Sequence, residues 1–177
     1  MYTEEVKNIL KDITIEDLDI TSQATTIGGA FGCLNSCDTF QNVDISDLTI
    51  SNDPVGIVTQ WNSVGGVIGD AVGCSGVTFK NITVSDSEIT TKCNNTAGFA
   101  GTLVTNATLD NVKVNNVEIE NTNEYGAPSG EVGGLIGVTG SEVTIKNSEV
   151  KDSSVTNSLP ENSGAFKYAG GLIGYAN

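Results

Sequence analysis

Apolar and polar residues alternate along this chain, slip by one place, and alternate again. The pattern runs through LKDITIEDLDI (10–20), FQNVDISDLTI (40–50), FKNITVSDSEI (79–89), LDNVKVNNVEI (109–119) and IKNSEVKDSSV (145–155). A period of two is the mark of a strand with one buried face. Ile13 and Ile15 share a face, as do Val43 and Ile45, Ile82 and Val84, and Val112 and Val114. The slip falls on Glu16-Asp17, Ser46-Asp47, Ser85-Asp86, Asn115-Asn116 and Lys151-Asp152. Many of these are turn formers, whose short side chains bond nearby backbone. A straight strand would expose its apolar set after the slip. A bend keeps both halves facing one interior, so each copy predicts two short strands meeting at a corner.

Each copy then reaches a glycine signature: IGGAFG (27–32), VGGVIG (64–69), TAGFAG (96–101), VGGLIG (132–137) and AGGLIG (169–174). Glycine suits places where backbone turns sharply or approaches a neighbour, so the signature predicts a third strand with a tight turn into it. The copies start at Leu10, Phe40, Phe79, Leu109 and Ile145, spaced 30, 39, 30 and 36 residues apart. Such periods mean stacked units, none of which can bury its apolar face alone. The expected fold is all-β: one parallel β-helix, or β-solenoid, domain over 1–177, with about five coils of 30–39 residues. Crossover chirality favours a right-handed coil. Stacking at about 4.8 Å gives a rod on the order of 25 Å long.

In this arrangement Phe40, Phe79 and Leu109 form one interior column. Asp12, Asn42, Asn81, Asn111 and Asn147 occupy one position in successive coils, where stacked amides form a structural ladder. Thr39, Thr78, Thr108 and Thr144 form another column.

The net charge is −14, with only 8 basic residues, which argues against a nucleic-acid partner. No apolar run reaches the length of a membrane helix, so membrane insertion is not expected. MYTEEVKN has neither a basic nor an apolar leader region. That start suits a segment cut from a longer protein. Cys33, Cys37, Cys74 and Cys93 allow three pairings or free thiols, and sequence does not choose.

GGLIG followed by VTIKNS resembles the GLUG motif of bacterial surface and secreted proteins, without the usual Asn-Cys after the signature. GGAF at 28–31 is similar to the glycine-pair repeats of polymorphic outer-membrane proteins. The resemblance implies a parallel β-helix on a large extracellular protein, often an adhesin, and it carries over no catalytic residue.

The chain has no His and no phosphate-binding loop. Asp44, Asp47 and Asp86 are the best carboxylates for a polysaccharide lyase or hydrolase. Asp47 and Asp86 are already explained as corner residues, so an enzyme is not expected. Calcium could bind among the outward acids, but no fixed ligand spacing is visible and no cofactor is expected. Asn81, Asn94 and Asn106 head possible sequons. The segments between alternating run and glycines vary most. Copies one and three use 8 residues (21–28, 90–97), whereas copies two, four and five use 15, 14 and 15 (51–65, 120–133, 156–170). The long ones hold Pro54, Pro128 and Pro160, with Trp61, Tyr125, Phe166 and Tyr168. Insertions at one point of the circumference form a common edge, where such aromatics are candidate ligand-binding residues for a host glycan or protein. The alternative is that the rings fold back over the flank. The expected role is a non-enzymatic extracellular module of a cell-surface protein, an adhesin-like stalk or binding segment. The alternative is a fibre subunit that self-associates through open solenoid ends.

Overall fold

A computed structural model describes residues 9–36, 39–54, 62–74, 76–103, 106–122, 129–158 and 166–177. Coil 1 runs through β1 (Ile9–Ser22), β2 (Thr26–Gly28) and β3 (Phe31–Cys33). Coil 2 follows with β4 (Thr39–Asn52), β5 (Ser63–Gly65) and β6 (Ile68–Asp70). Coil 3 has β7 (Val77–Thr91), β8 (Asn95–Ala97) and β9 (Ala100–Leu103), and coil 4 has β10 (Ala107–Asn121), β11 (Ser129–Gly133) and β12 (Ile136–Thr139). Coil 5 divides its first strand into β13 (Val143–Lys146), β14 (Glu149–Lys151) and β15 (Ser154–Asn157), then adds β16 (Phe166–Gly170) and β17 (Ile173–Ala176).

All pairing is parallel and runs from coil to coil. One sheet stacks β1, β4, β7, β10 and then β13, β14 and β15; the second stacks β2, β5, β8, β11 and β16; the third stacks β3, β6, β9, β12 and β17. The fold is therefore an all-β parallel solenoid, with no helix among the described residues. Leu10, Phe40, Phe79, Leu109 and Ile145 stand in one register column. In the middle coils that column is fully buried. Its rings continue toward the third sheet: Phe40 and Phe79 lie 5.3 Å apart, and Phe79 and Phe99 also lie 5.3 Å apart.

The first strand of each coil bends twice, where the sequence pattern predicted one corner. Asp17, Asp47, Asp86, Asn116 and Asp152 have φ between 51° and 54°, which places the second bend at the slip. Asp12, Asn42, Asn81, Asn111 and Asn147 also have positive φ, from 53° to 60°. Thus the ladder position is itself a bend. Asn and Asp tolerate this left-handed conformation better than other residues with a side chain. Each such residue resets the alternation, so the apolar residue after it again faces inward. The three-residue gap from Phe40 to Val43, repeated from Ile45 to Leu48, is the trace of the two bends in the sequence.

Serine replaces the apolar residue after a bend at three places and satisfies itself there. Ser87, Ser148 and Ser153 donate to the carbonyls of Ser85, Lys146 and Lys151, two residues back. They accept the N–H groups of Leu48, Val112 and Val117 from the coil beneath.

The glycine pair forms the corner between the second and third strands of a coil; the sequence pattern had placed it as the approach to one strand. A β carbon at Gly66 would lie 2.2 Å from the Gly98 carbonyl oxygen, and one at Gly65 would lie 2.1 Å from that of Ile68. Both distances are far inside van der Waals contact. Close backbone approach, not a left-handed φ, excludes side chains at these positions.

Candidate functional site

Of the candidate loop aromatics, Trp61 and Tyr125 lie outside the described residues, as do Pro128 and Pro160. The other two are placed on β16. Phe166 is 68% exposed and stacks on Tyr168 with centroids 6.3 Å apart. Tyr168 also meets Tyr175 of β17 at 5.1 Å. Tyr175 is 39% exposed and was not picked out by sequence reasoning. Its only signal was an aromatic placed directly after the last glycine signature.

The long segments share a common origin. Ser22, Asn52, Thr91, Asn121 and Asn157 stand in one column at the end of the first sheet. Thr26, Ser63, Asn95, Glu131 and Tyr168 stand in the column where the second sheet begins. Coils 1 and 3 cross between these columns by 23–25 and 92–94, whereas coils 2, 4 and 5 use 53–62, 122–130 and 158–167.

The column of departure is a polar interior that sequence reasoning missed. Asn52, Thr91 and Asn121 are buried. Asn52 Nδ2 donates to the carbonyls of Ser22 and Ala24 at 3.1 and 2.9 Å, in the corner of the coil beneath. Asn121 repeats the contact on Cys93 O at 2.8 Å, and Asn157 on Gly130 O at 2.9 Å. A carboxamide can satisfy carbonyls at the crossing, and Ser22 O also accepts the Asp53 N–H. A second buried group joins Ser63 to Thr102 at 2.6 Å, with Asn95 Nδ2 donating to Thr102 Oγ1 at 2.8 Å. The first network ties the column of departure to neighbouring coils, and the second ties the start of the second sheet to the third.

On the outer face, Asn42 donates to Asp12, Asn81 to Asn42, and Asn111 to Asn81, at 2.8, 3.0 and 3.0 Å. Asn147 departs from the line and donates to Asp110 Oδ1 at 2.8 Å. That bond, with the Lys146 ammonium 3.5 Å from Oδ2, holds the Asp110 carboxyl below its ordinary range. Asp47 and Asp86 stack in neighbouring coils. With Thr49, Ser87, Glu88, Asn116 and Glu118 they line a shallow recess of about 420 Å³. Asp44 pairs in register with Thr83 on the same sheet. No group of three or more His, Cys, Asp or Glu among the described residues is arranged to hold a metal ion.

Cys33 is an exposed thiol and Cys93 a buried one; Cys74 is buried, its Sγ donating to the Leu34 carbonyl at 3.4 Å, and Cys37 lies outside the described residues. Burial pushes Cys93 up to about 11, and its Sγ donates to Asn52 Oδ1 at 2.9 Å. Cys33 is raised by partial burial and by the neighbouring Asp70 and Cys74 charges. Of the sequons, Asn94 is fully buried and Asn81 belongs to the ladder.

These features define a parallel β-solenoid with an acidic outer face and one edge reserved for insertions. No family model, curated protein or solved structure matches the chain.

Proposed function

We propose that this chain is a non-enzymatic extracellular module of a cell-surface protein, an adhesin-like β-helix segment that presents binding loops to a host glycan or protein. One observation carries the reading: all three long segments open between the same two register columns. With the coils in register, the segments of coils 2, 4 and 5 all leave the rod from one side. Insertions on one face of a repeat array commonly form its binding surface. Further support comes from composition, since these segments hold Trp61, Tyr125, Phe166 and Tyr168. Aromatic rings supply contact area with a polar tip, suited to sugar faces and protein pockets alike.

The test is the double variant Trp61→Ala/Tyr125→Ala, compared with the parent on glycan and host-protein arrays and by thermal unfolding. The expected result is an unchanged melting temperature with the array signal lost. An identical binding profile, or a large drop in melting temperature with binding retained, would overturn the reading.

A further inference from the structure

We draw no further inference here: the strongest candidate, the recess on the outer face of the first sheet between Asp47, Asp86, Glu88 and Glu118, is an acidic cluster beside which no second feature of the described residues points to a ligand.

Discussion

Thr91 Oγ1 donates a 3.0 Å hydrogen bond to Oδ1 of Asn52, one coil beneath it, and both residues are buried. The same Asn52 oxygen receives the Cys93 thiol, while the Asn52 amide reaches two carbonyls of the first coil. One side chain thus ties three coils together at the point where the long segments leave.

Replacing it with an apolar isostere should be costly. Asn52→Leu takes the amide from the Ser22 and Ala24 carbonyls and the acceptor from the buried Thr91 hydroxyl, although Ser22 O keeps the Asp53 N–H and Thr91 Oγ1 the Cys93 N–H. Losing a partner around a buried polar group costs on the order of 1–3 kcal/mol. The expected loss is about 3 kcal/mol by urea unfolding. Asn52→Leu/Thr91→Val should recover part of it, since removing both ends of a buried bond costs less than removing one. A loss below about 1 kcal/mol, within the range of ordinary surface changes, would mean the contact is dispensable.

The ladder responds differently, because its residues are exposed and bent. Asn81 has a φ of 54° and both donates to and accepts from its neighbours. Asn81→Ala should destabilise by about 1–2 kcal/mol, mostly from left-handed strain. Asn81→Gly removes the same amide but relieves the strain, and should cost less than Asn81→Ala. Equal costs in chemical denaturation would assign the effect to the hydrogen bonds.

Asp70 provides a pH signature. Burial raises its folded-state pKa, only partly offset by the Val72 N–H. A raised carboxyl binds its proton more tightly in the folded chain. Its favourable contribution is present below the unfolded pKa and is lost as pH rises through the folded one. Asp70→Asn should therefore raise the melting temperature at neutral pH, and the gain should shrink as pH falls into the acid range. A gain independent of pH would point to packing instead.

Much of the coil was legible because its signals repeat. The Phe40–Phe79–Leu109 column followed from aligning the copies, and the slip at Asp47 and Asp86 marked a true bend. The other bend was written in the same letters, but Asn42 was read as a ladder residue on a straight strand. The interior amides were harder to see. Asn52 and Asn121 share their column with Ser22 and Thr91, and in a chain rich in Asn and Thr no letter marks such a residue as buried. What buries them is closure of the corner, a property of three coils at once. Tyr175 was hidden for a similar reason, since its contact with Tyr168 arises only when the glycine corner brings β16 and β17 together.

The ladder bonds of this molecule run from coil to coil, along the long axis of the rod. A pull along that axis meets them one layer at a time, like a zipper opened from its end. Each layer that gives way pays out 30–39 residues of slack, roughly 100–140 Å of extended chain. Such a rod yields under load in large successive steps, and sheds force long before its last layer opens.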